Sequence, residues 1–420
     1  MSARKPRIGL VVPALEQGGG VPSVAEFICQ TIERSGAFDL QLVSLSQSSS
    51  DGIGVELTKP ASWFHGVLTR NANWQGRAFI RVGAFASELE FQRYQPRHAL
   101  AALLADCDLI QVVCGTPAWA WAVCGLGKPV AVQCATRAIV ERRRRDATAR
   151  SPKTVWWRWM TKFTDRLERK ALQTVDAIQV ESPWMLDYTR EVNGGREIII
   201  RYAPPGVDAA RFRPAALRDL RSAPYILCVG RLDDPRKNIG LLLEAYANLP
   251  SELKSTVRLM LAGTSSPGPV FWARVKELRL AGRVDFVHSP NAEALVRLYQ
   301  AASVFALPSD EEGLGVVILE AMACGIPVIS TRSGGPEGII TDGVEGYLVG
   351  LDNEKAMEDR LTRLLTDAAL NERMGEAGRE TIMGKYETGV AGKAFLDIYD
   401  EMLASHRRSD DDKAGRNIAT

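Results

Sequence analysis

The chain has 420 residues, with 52 Lys and Arg against 50 Asp and Glu and a formal net charge of +2. That length holds two domains of ordinary size, and so even a balance excludes a global attraction to nucleic acid or membrane; any such attraction is local. The N-terminus shows no signal peptide and no run of about 18 apolar residues offers a membrane span. The seven cysteines are scattered through apolar stretches without a C-x2-C pair. These features predict a cytoplasmic protein with reduced, packed cysteines and no metal site.

Residues 7–13 read as a buried strand, followed by Gly18, Gly19 and Gly20 and a helix over 22–34. Glycines between a first strand and a first helix let the backbone approach a ligand, and the helix start favours an anion. Residues 40–45 predict a second strand, and the serine-rich 46–54 a mobile loop. From 63 to 83 the pattern is irregular, with Trp63, Phe64, Trp74 and Phe79 between polar residues. It reads as a loop held by anchoring aromatics or as a wall for an acceptor. A helix is expected over 98–105, and strands over 109–114, 130–134 and 175–181.

Between Arg137 and Lys170 stand 12 Arg and Lys against four Asp and Glu, a local balance of +8. Arg142, Arg143, Arg144 and Arg145 head the segment, and Trp156, Trp157 and Trp159 follow. Basic residues beside tryptophans suit the headgroup zone of an anionic bilayer, so one expectation is reversible docking of 137–170 at the inner face of the membrane. The other is a solvated basic helix whose tryptophans pack inward. Nucleic-acid binding is not expected, because no companion motif accompanies the segment. Residues 196–201 predict a further strand, and the prolines and glycine of 204–214 a boundary near Pro214, giving an N-terminal domain over 1–214.

The second half opens with an apolar strand over 225–230. Arg231 and Lys237 stand beyond its carboxyl end, before a helix over 239–249, where α/β sheets hold a diphosphate. Strands over 257–262 and 284–287, with a helix over 271–280 between them, lead to His288. Residues 303–308 then read as a buried strand, 309–315 as a polar loop carrying Glu312, 316–323 as an apolar helix with Glu320 in its second turn, and 328–330 as the next strand. A glutamate among Ile318, Leu319, Ala321 and Met322 needs a partner, because stripping its water is costly. The helix start beside Gly315 suits a phosphate. An anion there, with hydroxyls on the two carboxylates, describes a sugar nucleotide. The second domain is expected over 215–385, followed by a helix over 386–406 crossing back to the first domain and a disordered tail over 407–420.

Glu312-Gly313-Leu314-Gly315, with Glu320-Ala321-Met322-Ala323-Cys324-Gly325-Ile326-Pro327, resembles the E-x7-E signature of retaining glycosyltransferases of family 4. The likeness is strongest over 224–350. It implies an α/β chain of GT-B fold, two Rossmann-like domains with parallel sheets facing across a cleft, the N-terminal one for the acceptor and the C-terminal one for a nucleotide sugar. By the resemblance Glu312 lies against the donor sugar, Glu320 on the ribose, and Arg231 and Lys237 on the pyrophosphate. Gly313, Leu314, Gly315 and Val316 border the donor, and His288 stands where family loops touch the base. Gly19 and Gly20 match a glycine pair on the donor's phosphate side or the acceptor, although Pro22-Ser23 departs from the family there.

A second departure concerns histidine. Many members carry one after each of the strands matching 109–114 and 130–134, where this chain has Cys114-Gly115-Thr116 and Cys134-Ala135-Thr136-Arg137. Its four histidines, His65, His98, His288 and His406, fall elsewhere. No histidine acid or base is therefore expected, while Thr116, Thr136 and Arg137 stay candidates for substrate contacts. The expected activity is transfer of a hexose from a UDP- or GDP-sugar, without a metal or other cofactor, to a glycan or lipid-linked acceptor or polysaccharide precursor. A sugar-nucleotide 2-epimerase of the same fold and a non-catalytic sugar-nucleotide-binding subunit are the alternatives.

Overall fold

The computed structural model describes residues 4–16, 19–147, 151–215 and 224–418, so Gly18 of the glycine run lies outside the described residues. The chain divides into two units, Met1–Pro205 with Gly392–Thr420, and Gly206–Ala391.

The first unit is built on β1 (Arg7–Pro13), β2 (Asp39–Leu45), β3 (Thr69–Trp74), β4 (Arg77–Val82), β5 (Leu109–Cys114), β6 (Val130–Cys134), β7 (Ala177–Val180) and β8 (Ile199–Tyr202). These form one sheet in the order β3-β4-β2-β1-β5-β6-β7-β8. Every neighbouring pair is parallel except β3 with β4. Parallel strands are covered on both faces, which is why β5, β6 and β7 are buried along their whole length. Helix α1 (Gly20–Ser35) follows β1, and α2 (Pro152–Leu172) lies between β6 and β7.

The second unit carries β9 (Tyr225–Arg231), β10 (Arg258–Ser265), β11 (Val284–His288), β12 (Val304–Leu307), β13 (Val328–Thr331) and β14 (Gly346–Val349), all parallel, in the order β11-β10-β9-β12-β13-β14. The chain builds outward from β9 through β10 to β11, then returns to the other side of β9 for β12. The loops after β9 and β12 therefore leave the sheet in opposite directions and open a crevice between them. Helix α3 (Ile239–Ala247) follows β9 and α4 (Val316–Ala323) follows β12.

Four expectations need correction. Residues 69–82, read as irregular, form a hairpin turning at Gln75 and Gly76, both at positive φ (50° and 81°). The outer strand is polar and largely exposed, because it is the sheet edge and has no apolar run to bury. The serine-rich 46–54 is tied down: Ser49 is buried, its amide donates to the Ser87 hydroxyl at 2.6 Å, and Gly54 packs where a Cβ would stand 2.6 Å from the Ser49 backbone.

The boundary falls at Pro205 and Gly206, earlier than Pro214. Residues 206–214 belong to the second unit because Val207 donates to the Tyr386 carbonyl at 2.7 Å and Arg379 reaches the carbonyls of Ala209 (3.1 Å) and Phe212 (3.0 Å). Helix α5 (Thr388–Ile418) runs through the tail read as disordered. Extending a helix already anchored by buried side chains costs far less than starting one. From Gly392 onward α5 is part of the first unit, where Phe395 meets Phe27 edge-on at 5.3 Å and Tyr399 meets Phe38 at 5.9 Å.

The basic segment is also partly spent inside. Arg137 pairs with Asp165 and lies over the Tyr188 ring at 4.0 Å, and Arg142 pairs with Glu90. Under β6 and β7 the first unit buries Glu181, which accepts from the Gln133 amide. Loss of water pushes its carboxyl up to about 7. Glu168 of α2 accepts from the Ala138 amide at 2.8 Å, and burial raises it to about 8.

Candidate active site

The site grows from the two crevice loops of the second unit. After β9, Asp234 caps a short turn over Pro235–Lys237 by accepting from the Arg236 amide at 3.0 Å. Asn238 follows in the left-handed conformation (φ 42°, ψ 40°), which asparagine tolerates better than most residues, and starts α3. This reversal carries Lys237 back toward the end of β12. Its Nζ stands 2.6 Å from Oε1 of Glu312, and the Ser309 hydroxyl donates to the same oxygen at 2.6 Å. The Lys237 and Glu312 side chains keep only 17% and 11% exposure, so each charge is largely answered by the other.

Further bonds lace the loops together. The Asp310 amide donates to the Arg236 carbonyl at 2.8 Å, and the Asn238 amide group to Asp310 at 2.9 Å. Arg236 bridges Asp234 at 2.7 Å and Glu311 at 3.0 Å. On the far side the Glu312 backbone amide donates to the Ser333 carbonyl, and its carbonyl accepts from the Gly335 amide, both at 2.9 Å. Gly335 has to be glycine for space: a Cβ would meet Leu314 Cα at 2.5 Å and the Gly313 carbonyl oxygen at 2.6 Å.

Gly315 takes the left-handed conformation (φ 86°, ψ 57°) just before α4, and no side chain caps that helix start. The leading amides of α4 are thus turned toward the crevice loop with no side-chain acceptor, a setting that suits an anion. Glu320, in the second turn, is half-buried and accepts from the Tyr299 hydroxyl at 2.7 Å. Loss of water pushes its carboxyl up to about 7, opposed by the Tyr299 bond and by the Arg211 charge. Tyr299 is fully buried between Phe212 (5.9 Å) and Phe305 (5.7 Å), which fixes the hydroxyl that holds Glu320.

Lys237, Glu312, Gly313, Leu314, Gly315 and Val316 thus come together, with Glu320 one helix turn further on. Arg231 stands at the mouth, 53% exposed and 3.5 Å from Asp234. His288 is exposed at the end of β11 and touches Phe286 and Ser289 rather than Lys237 or Glu312. Gly19 and Gly20 open α1 in the first unit. Gly19 is needed for its φ of 128°, while a Cβ at either would meet open space. Among the described residues no group of three or more His, Cys, Asp or Glu side chains is placed to hold a metal ion. Ser309, Asn238, Asp310 and Tyr299 were not singled out from the sequence. Only Asn238, a left-handed former just ahead of an apolar helix, left a signal there.

The architecture is that of the GT-B fold. A sucrose-phosphate synthase from Thermosynechococcus elongatus superposes with a TM-score of 0.70 at 21% identity, over 96% of this chain and 100% of that one. Anabaena HepE, solved in complex with UDP-glucose, gives 0.66 at 15% identity, over 94% and 99%. Residues 215–381, which contain Arg231, Lys237, His288, Glu312 and Glu320, match the family model Glycosyl transferases group 1.

Among curated relatives, a GDP-mannose-dependent alpha-(1-6)-phosphatidylinositol monomannoside mannosyltransferase of Mycolicibacterium smegmatis is 32% identical over 222 residues, 49% of this chain and 57% of that protein. The lipopolysaccharide core biosynthesis glycosyltransferase LpsE of Rhizobium meliloti is 31% identical over 236 residues, 56% of this chain and 65% of that protein. The chain therefore spans less than two thirds of the length of the curated relatives it matches.

Proposed function

We propose that the protein is a retaining glycosyltransferase that moves a hexose from a UDP- or GDP-sugar to a lipid-linked or polysaccharide-precursor acceptor at the cytoplasmic face of a membrane. The observation that carries this reading is the Lys237–Glu312 pair, 2.6 Å apart at the crossover of a parallel sheet and beside an uncapped helix start. Arg231, Lys237 and the amides after Gly315 hold the diphosphate and meet the charge that builds on it as the glycosidic bond breaks. Glu312 takes the sugar face, Glu320 the ribose and His288 the side of the base. Attack comes from the face the diphosphate leaves, and the leaving phosphate oxygen takes the acceptor's proton, so no protein base is assigned. The named activities of the relatives support transfer to lipid or glycan acceptors, and the basic, tryptophan-bearing 137–170 supplies the bilayer contact a lipid-linked acceptor needs.

The test is a thermal-shift panel of UDP-, GDP-, dTDP- and ADP-sugars followed by transfer assays on the preferred donor. Glu312→Ala is expected to abolish transfer while nucleotide binding stays detectable. Undiminished transfer, or an acceptor-independent epimer product, would refute the assignment.

A further inference from the structure

We infer that the carboxyl edge of the first unit's sheet is a two-point docking surface for an anionic lipid bilayer, with Trp63 and Phe64 as one point and the outer face of α2 as the other. The inference rests on the lipid-linked acceptor of the reading above and extends it beyond 137–170.

Helix α2 is inverted for a surface helix. Its inward face buries Thr161, Thr164 and Glu168 beside Leu167, Ala171 and Leu172, while Val155, Trp156, Trp159 and Phe163 are 40–62% exposed. Their spacing sets them in one stripe along the helix. Exposed Arg158, Lys162, Arg166, Arg169 and Lys170 flank that stripe. The two acids of α2 are taken up elsewhere, Asp165 by Arg137 and Glu168 by the Ala138 amide. The outer face is therefore apolar and cationic, with no carboxylate to repel an anionic surface.

The second point supplies large apolar side chains. Phe64 is 92% exposed and Trp63 56%, with Leu57 and Leu68 at 40%. His65 and Arg70 are exposed around the aromatics, while Lys59 is paired with Glu56 at 2.9 Å, so this point is chiefly apolar. Topology places both points on one edge: residues 46–68 leave the end of β2, 83–97 the end of β4, and 135–147 the end of β6. The segment after β4 joins them, since Glu88 accepts from the Leu57 amide at 3.0 Å and Phe91 packs on Phe163 at 5.3 Å. Large apolar side chains are seldom left outward in such numbers without a partner. Charge selects which one: a second copy would bring two cationic faces together, whereas anionic headgroups complement them.

The experiment is co-sedimentation of the full chain with vesicles of phosphatidylcholine alone or mixed with phosphatidylglycerol. Wild type is expected to pellet with the mixed vesicles, to be released by salt, and to stay in solution with the neutral ones. Phe64→Ser and Trp159→Ser should each weaken partitioning by about tenfold or more, without moving the melting temperature. Wild-type binding by Phe64→Ser, equal binding to neutral vesicles, or a lipid-free dimer that Phe64→Ser dissociates would overturn the proposal. A chain that docks but is stabilised by no nucleotide sugar supports the surface and sinks the transfer reading.

Discussion

Lys237 and Glu312 are each other's main partner, so removing one strands the other. Lys237→Ala leaves a mostly buried carboxylate without its cation and should cost about 2 kcal/mol in urea unfolding, below the range for fully buried pairs because both keep some solvent. It should also erase any donor-induced melting shift. Glu181 makes the opposite case. Its folded pKa, about 7, lies above the unfolded value near 4.5, so its contribution is full below about pH 4.5 and is lost as pH rises toward 7. Glu181→Gln, which keeps an oxygen for the Gln133 amide, should therefore match wild type near pH 4 and exceed it by on the order of 3 kcal/mol at pH 8. Equal stability of the two at pH 8 would contradict this.

At the scale of elements, the loop carrying Glu312 depends on its neighbour over 333–335. Gly335 sits at an ordinary φ of −64°, so a side chain there is opposed by contact alone, and the atoms it meets are backbone. Gly335→Ala should shift the Glu312 loop and reduce donor-induced stabilisation at least about tenfold in apparent affinity, with a smaller loss of overall stability. Gly384→Ala, with open space around its Cβ and no positive φ, is the control expected to leave donor binding alone.

Elements were legible where burial left a pattern. The strands of the second unit are continuous apolar runs because both faces are covered, and charged residues just past their ends marked Arg231, Lys237 and Glu312. Hairpin β3–β4 escaped notice because its outer strand borders solvent and its turn is Gln-Gly rather than a commoner Asn-Gly. The Tyr299 bond to Glu320 joins residues 21 apart through a shared packing of three aromatics, which no periodicity reports.

For the whole molecule, α5 begins in the second unit and completes the core of the first. Phe395 and Tyr399 are fully buried there, with Ile398 and Met402 at 3% exposure. Deleting residues 392–420 withdraws apolar burial on the order of 10 kcal/mol, as much as the net stability of an ordinary domain. The truncated chain should lose the unfolding transition of the first unit in urea. Residues 206–391, made alone, should keep a cooperative one, with circular dichroism as the readout.

That arrangement also sets an order of events during synthesis. When residues up to 205 have emerged from the ribosome, Phe27 and Phe38 still lack the rings that cover them, and those rings are translated only after residues 206–391. The unit made first is finished only after the unit made second, so its unclosed face has to be shielded, by the ribosome surface or a chaperone, until α5 is made.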